Sequence, residues 1–448
     1  MNTMTGVHEC LLYLMACALQ NVPAKEEALT GVDLKRLLAT AQSHFTASMA
    51  CMVLEKTDVF SRADETTRKQ WLEAKNKAIR KNMLLDAERK AILHQLEAEQ
   101  IWHMPLKGSI LKDWYPKPGM REMADNDILF DPAKRERVRD IFLSRGYKTV
   151  FFQEGIHDEY EKPPIYHFEM HVSLFSQYYS ELFEQYANIK EKLLPVDGTA
   201  YQFAFSPEDF YVFVLAHAYK HYSARGTGVR TLADIYVMNR RLGGVMNPSE
   251  TAQKLVRLGI AEYEQRSRAL AEKLFSVARP LSEIGLTQDE AAMLQYYCTS
   301  SAYGTTDNFF ANQLRQFQGA SASVTRWTKI KYCCARLFPG RSFCKEVYPF
   351  VYKHPWLLPF FWVWRIVDRV VIHGKRLKKE FAFLKNIKAK NRAKRNPPSP
   401  VRRGCEAPFP SAAFEKPLPR CKYRAKAAES EAFLALFRIH PMQSRPYQ

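Results

Sequence analysis

The 448-residue chain predicts an α+β fold, a small mixed β-sheet preceded by helices and followed by an all-helical domain. Three observations carry this prediction. From Ser61 to Gln100 there is no Gly or Pro, helix formers dominate, and apolar residues recur at three and four. From residue 101 to 177 the texture changes to short apolar runs closed by Gly, Pro or Asp. Beyond 178 helical spacing returns, with capped starts and no strand-like alternation.

Residues 1–100 read as an N-terminal helical region. Its first apolar stretch, "ECLLYLMACALQ", is short, begins with an acid and lacks a basic flank, so it reads as a core helix and not as a leader. In 101–177, "IWHMPLKG" is a strand running into a glycine turn, and "ADNDILF" is a second strand closed by Asp131-Pro132. That pair starts a helix, with Asp as the cap and Pro at the first helical position. The helix, "AKRERVRDIFLSRGY", ends at Gly146 as its C-cap. "KTVFFQ" and "IYHFEMHVSLF" follow as strands, giving a sheet with helices on one side. Residues 178–395 read as a helical domain, with Ser206-Pro207-Glu208-Asp209 opening one helix and Thr287 and Glu290 forming a capping box. Residues 396–448, rich in Pro and basic residues without a period, read as a disordered tail.

Charge narrows the classes of function. Of the formal +19, the stretch from Arg365 to the end holds +15, so the rest of the chain is close to balanced. The basic segment "HGKRLKKEFAFLKNIKAKNRAKR" has only Phe381 and Phe383 interleaved, which disfavours a stacking platform for nucleic acid. A solvated helix and tail is the first reading of it; attraction of RNA, of an acidic partner, or of anionic lipid as a weak peripheral membrane contact is the alternative. Just before it, "HPWLLPFFWVWRIVDRVV" is broken by Pro355, Pro359, Arg365, Asp368 and Arg369. It therefore reads as an aromatic helix packing on its own domain, with an interfacial helix as the alternative and no spanning segment anywhere in the chain. Nine cysteines lie scattered without a C-x-x-C pair or zinc spacing, which points to reduced thiols in a cytoplasm, with peripheral placement at the inner membrane face as the variant.

The chemistry concentrates in "LKGSILKDWYPKPGMREMADNDILF". In a strand Asp125 and Asp127 project from one surface, and two adjacent carboxylates repel each other unless a divalent cation lies between them. Gly108-Ser109 would turn the chain into a short helix whose N–H groups and Ser hydroxyl hold phosphate oxygens, with Lys107 beside them. A third acid is Glu169, whose strand places His167, Glu169 and His171 on one face. Three carboxylates can hold the two metals of an in-line phosphoryl transfer, or Glu169 can act as the base. Asn126, between the aspartates, would face the packed layer.

These residues, with "FEMHVSLF" and "SPEDFYVFVLAHAYKHYSARGTGVRTLADIYVM", resemble an uncharacterised bacterial nucleotidyltransferase family of the DNA polymerase beta-like superfamily. The resemblance spans most of residues 1–390. It implies a catalytic core at 101–177, with Gly108, Ser109, Asp125, Asp127 and Glu169 at the pattern's positions. It also implies Mg²⁺, with Mn²⁺ as the substitute, and transfer of a nucleoside monophosphate from an NTP to a hydroxyl acceptor with loss of pyrophosphate. The alternatives are a toxin-like relative acting on protein or tRNA, and a non-catalytic nucleotide-binding or membrane-associated scaffold in surface-polymer assembly.

Four further residues are second-rank candidates. His217 and His221 stand four apart on one helical face; without a third ligand, a structural role or a contact with phosphate or acceptor is favoured over zinc. "RGTGVRTLADI" lacks the preceding strand of a dinucleotide fingerprint, so a Rossmann reading is rejected. Arg230 is read either as a triphosphate ligand or as the i,i+4 partner of Asp234. Arg121 is read as fixing the loop or neutralising phosphate, with the structural role favoured.

Overall fold

The computed structural model describes residues 6–153, 155–177, 179–315, 317, 324–341, 344, 348–371, 378 and 380–384. The predicted tail at 396–448 and most of the basic segment before it lie outside these residues. Two compact units are present, one reaching to Asn312 and the other beginning at Gln313.

The first unit opens with α1 (Gly6–Gln20), buried along nearly its whole length, then α2 (Leu34–Ser43), α3 (Ala47–Leu54) and the single turn α4 (Asp58–Ser61). The stretch free of Gly and Pro forms one 34-residue helix, α5 (Glu65–Ala98), about 50 Å long. Asp64 starts it by accepting a hydrogen bond from the Thr67 amide.

Next come β1 (His103–Pro105), α6 (Gly108–Leu111), β2 (Asn126–Phe130), α7 (Arg135–Ser144), β3 (Lys148–Phe151), β4 (His157–Lys162) and β5 (Tyr166–His171). They form a five-stranded sheet in the order β1-β2-β5-β4-β3. The β2–β5 pair is parallel and the other pairs are antiparallel, so the sheet is mixed as predicted. One strand of it, β4, was missed from the sequence. Its residues "HDEYEK" carry five titratable polar side chains beside one Tyr, without the apolar content that marks a strand.

One face of the sheet packs on α5 and α7. Ile128, Phe130, Tyr160, Phe168 and Met170 meet Ile92, Leu96, Val138, Ile141 and Phe142 in a dry cluster. Phe142 stacks on Tyr160 with ring centroids 4.3 Å apart. Burying side chains of this size, at roughly 1.5–3 kcal/mol each, is what allows the opposite face to carry charge.

After the sheet the unit becomes helical, with one correction to the prediction. The short strands β6 (Leu194–Pro195) and β7 (Phe203–Ala204) pair within the region expected to hold none, and Gln202 bridges to His103 of β1. Then follow α9 (Pro207–Ala224), α10 (Arg230–Leu242), α11 (Pro248–Arg257), α12 (Ala261–Phe275), α13 (Gln288–Ser300) and α14 (Thr306–Arg315); α8 (Ser180–Gln185) precedes the β6–β7 ribbon. Ser206 caps α9, and both bonds of the Thr287–Glu290 capping box start α13.

The described part of the second unit is helical too. Its predicted aromatic helix is Leu358–Val371, which buries Phe361 with Cys344, Val351 and Leu357. The same segment leaves Trp356, Phe360, Val363 and Val367 exposed. Among the described residues no helix is long and apolar enough to cross a membrane.

Candidate active site

Strand alternation decides what faces away from the core. On β2, Asn126, Ile128 and Phe130 point toward α5 and α7, so Asp127 points the other way. The parallel register sets Asp127 opposite Glu169, and the antiparallel register sets Glu169 opposite Glu159. One step along, His167 faces Glu161, and Asp125 immediately precedes β2 on the same side; one step the other way, His171 faces His157. Three strands therefore present Asp125, Asp127, His157, Glu159, Glu161, His167, Glu169 and His171 on one surface. The residues of β4 among them were not anticipated. Their signal was the alternation of His157, Glu159 and Glu161 with Asp158, Tyr160 and Lys162.

The charges on this face are matched in pairs. Lys107 Nζ lies 3.1 Å from Asp127 Oδ1, and His171 Nε2 lies 2.9 Å from the same oxygen and 3.5 Å from Glu169 Oε2. His157 Nε2 is 3.8 Å from Glu169 Oε2, and His167 Nε2 is 2.7 Å from Glu159 Oε1. Burial alone would lift the Asp127 carboxyl, but Lys107 and the His171 hydrogen bond outweigh it and hold it below the usual range. Asp125 is the opposite case: burial first, then repulsion from Asp127 and Glu169, push its carboxyl up. Burial would lower His167, yet its hydrogen bond to Glu159 and the charge of Asp125 carry it to about 9.

The donor types on this face suit a divalent cation. Asp125, Asp127 and Glu169 offer hard oxygen ligands, and Asp125 is raised by burial first and then by repulsion from the other two. The groups whose donor atoms already lie within 4.8 Å of one another are His157, Glu169 and His171, and Glu159, Glu161 and His167. Asp125 and Asp127 belong to neither group, and Asp127 instead holds Lys107.

The turn before β2 departs in detail from its prediction. Lys107, not Gly108, adopts the left-handed backbone, with φ 46°. Gly108 is required for another reason: a Cβ there would stand 2.6 Å from Arg121 Nη1. Ser109 Oγ donates to the Leu106 carbonyl at 2.8 Å and is buried. Arg121 is engaged within the protein. Its Nε and Nη2 donate to the two Asp234 carboxylate oxygens at 2.7 and 3.0 Å, and the Tyr115 hydroxyl donates to Asp234 at 2.7 Å.

Asp234 is thus engaged by Arg121, which overturns the i,i+4 pairing read for Arg230. Arg230 Nη1 donates to the Glu122 carbonyl at 3.0 Å, and its guanidinium lies 5.2 Å from the centre of the Phe45 ring. Among the described residues no carboxylate lies within ion-pair distance of Arg230.

Helix α5 supports the whole segment between turn and strand. Lys81 Nζ donates to the Ala124 carbonyl at 2.7 Å, and Asn82 Nδ2 to the Arg121 carbonyl at 2.9 Å. Asn126 faces the packed layer as predicted, where Arg89 donates to its Oδ1 at 3.1 Å and its Nδ2 donates to the Leu85 carbonyl at 3.1 Å.

On α9, His217 Nε2 and His221 Nε2 are 3.3 Å apart. Burial first, then the charges of Lys107 and Lys220, hold His217 well below its ordinary value, so Lys107 of the turn lies within electrostatic reach of α9. Neither histidine joins a three-residue donor group among the described residues.

The "RGTGVR" motif has an architectural role. A Cβ on Gly228 would stand 2.6 Å from His44 Nδ1 and 3.0 Å from the Ala302 amide, and one on Gly226 would stand 2.2 Å from Ser300 Oγ. The two glycines let the start of α10, the end of α2 and the loop after α13 close on one another.

A sequence profile described as an uncharacterised nucleotidyltransferase matches residues 30–276. The chain belongs to this nucleotidyltransferase family. No curated protein and no solved structure matches it. For a nucleotidyltransferase family member the general activity is nucleotidyl transfer from an NTP. The match contains the whole charged sheet face, the turn at 107–109, the α9 histidines and Arg230. Two surface hollows in the first unit, one beside Asn239 and Arg268 and one beside Thr30 and Arg62, are lined by none of these residues.

Proposed function

We propose that the protein is a Mg²⁺-dependent nucleotidyltransferase that moves a nucleoside monophosphate from an NTP to a hydroxyl acceptor. The single observation behind this reading is the set of acids Asp125, Asp127 and Glu169 on neighbouring positions of β2 and β5, within a chain of nucleotidyltransferase kinship. In the reaction the acceptor hydroxyl loses its proton to Glu169 or to water as its oxygen attacks the α-phosphorus, the bond to the bridging oxygen of the β-phosphate breaks, and pyrophosphate leaves. Asp125, Asp127 and Glu169 would hold the cation, with Mn²⁺ as a substitute for Mg²⁺, and it would supply neutralisation of phosphate charge.

Lys107 contacts Asp127 at 3.1 Å and would meet triphosphate oxygens beside that carboxylate. Arg230 is the second phosphate candidate, since among the described residues no carboxylate lies within ion-pair distance of it. Gly108 and Ser109 shape the turn that carries Lys107 past the phosphates. His217, held neutral, and His221 are placed for the acceptor or a phosphate, while Arg121 holds the loop through Asp234. The seven cysteines among the described residues are all free, which supports a reducing cytoplasm.

The test is incubation of the purified chain with each α-labelled NTP, Mg²⁺ and fractionated lysate. Label transfer with pyrophosphate release, lost in Asp125→Asn, is expected. Label arriving on protein or tRNA would favour the toxin-like alternative. Tight NTP binding without turnover in every fraction would overturn the enzyme in favour of a scaffold.

One observation favours a peripheral membrane contact beside the enzymatic role. Trp356, Phe360, Val363 and Val367 are exposed on one side of the segment that leads into the basic stretch. Flotation of the full chain with vesicles containing anionic lipid, lost when Trp356 and Phe360 are both changed to Ser, is the expected result.

A further inference from the structure

An exposed aromatic ring stands near the charged face, and the proposed chemistry does not use it. Tyr303, in the loop between α13 and α14, is 69% exposed. Aromatic side chains usually bury most of their surface, so a solvent-facing ring on a rigid support invites a ligand.

The support is rigid on three sides. The Ala302 amide donates to the Ser43 carbonyl at 2.9 Å, and the Thr305 amide to the Arg225 carbonyl at 3.0 Å. Gly304 has φ 72°, and a Cβ there would stand 2.4 Å from that same Arg225 oxygen. Ser301, with φ 56°, and Phe45, with φ 55°, both hold the left-handed backbone that residues bearing a Cβ rarely adopt. The Phe45 ring then meets Tyr303 edge-on at 89° with centroids 5.3 Å apart, while Arg230 lies against Phe45 at 5.2 Å.

This shelf is tied directly to the acids. Arg230 donates to the carbonyl of Glu122, three residues before Asp125. Although open to solvent, the Tyr303 hydroxyl is raised, first by the partial enclosure around it and then by the charges of Asp125 and Glu169, against Arg230. A guanidinium suited to phosphate and a flat π-face therefore meet the same Phe45 ring, and the guanidinium is bonded to the segment that leads into the proposed cation site.

We propose that Tyr303, backed by Phe45, is the stacking platform for the base of the bound NTP. The proposal rests on the nucleotidyltransferase reading above. Stacking accepts any base through its π-face, so the platform favours purine over pyrimidine nucleotides by stacking strength and reads no base edge.

The test compares equilibrium binding of ATP, UTP and inorganic tripolyphosphate, each with Mg²⁺, to the full chain and to its Tyr303→Phe and Tyr303→Ala variants. Tyr303→Ala is expected to weaken ATP by roughly 10- to 100-fold, weaken UTP less, and leave tripolyphosphate within about twofold, while Tyr303→Phe stays close to the parent. Equal weakening of ATP and tripolyphosphate, or no weakening of either, overturns the platform. If the parent binds ATP no more tightly than tripolyphosphate, the platform falls while the phosphate site stands. If the parent binds neither, both readings fall together.

Discussion

The two faces of the five-stranded sheet are built from alternate residues of the same strands and have opposite characters. Phe168 and Met170 of β5 lie in a dry cluster between α5 and α7, whereas His167, Glu169 and His171, one residue out of step, lie among acids and cations. The first face contributes stability and asks only for shape. The second face gathers carboxylates against their mutual repulsion and is stabilised through Lys107 and the histidines. Because side-chain direction has a period of two, no intermediate zone separates the fold's hydrophobic core from its reactive charge.

Asp125→Asn breaks the comparison most sharply. Burial and the repulsion from Asp127 and Glu169 raise this carboxyl above its unfolded value, so near neutral pH its ionised form destabilises the fold. The amide should lower pyrophosphate release by on the order of 1,000-fold. Thermal stability should hold or rise, and a drop in Tm on calorimetry would show that this face also carries the fold.

Phe168→Ala should do the reverse, costing about 4 kcal/mol in a denaturant titration through the cavity left beside Phe142 and Tyr160. Loss of activity without loss of stability would contradict the division. Asn126→Leu tests the one polar residue β2 sends into the packed layer. It strips a partner from Arg89 and from the Leu85 carbonyl, so about 2 kcal/mol of stability should be lost by the same measurement. Arg137→Ala is the control. Its bond to Glu99 sits on the solvent side of α7, and neither Tm nor activity should move.

What could be read from the sequence follows the distance between partners. The Asp131 cap accepts from the amide of Ala133 and the Ser206 cap from that of Asp209, so both starts were legible in a few letters. The Asp125-x-Asp127 strand and its Glu169 neighbour were legible through alternation. By contrast, Arg121 and Asp234 are 113 residues apart, and nothing in "RTLADI" betrays that its acid is committed elsewhere. The need for Gly226 and Gly228 was not legible because the groups they admit, Ser300 and His44, lie far along the chain in both directions. Strand β4 stayed hidden because its inward-facing Asp158 is paired with Arg135 at 2.7 and 2.6 Å, replacing the apolar residue that would have announced it.

One helix far upstream of the motif grips it at successive turns, through Lys81, Asn82, Leu85 and Arg89. Saturation mutagenesis limited to residues 106–130 would overlook this remote scaffolding. Substitutions on α5 can shift the segment that carries Asp125 and Asp127 without changing a letter of that segment.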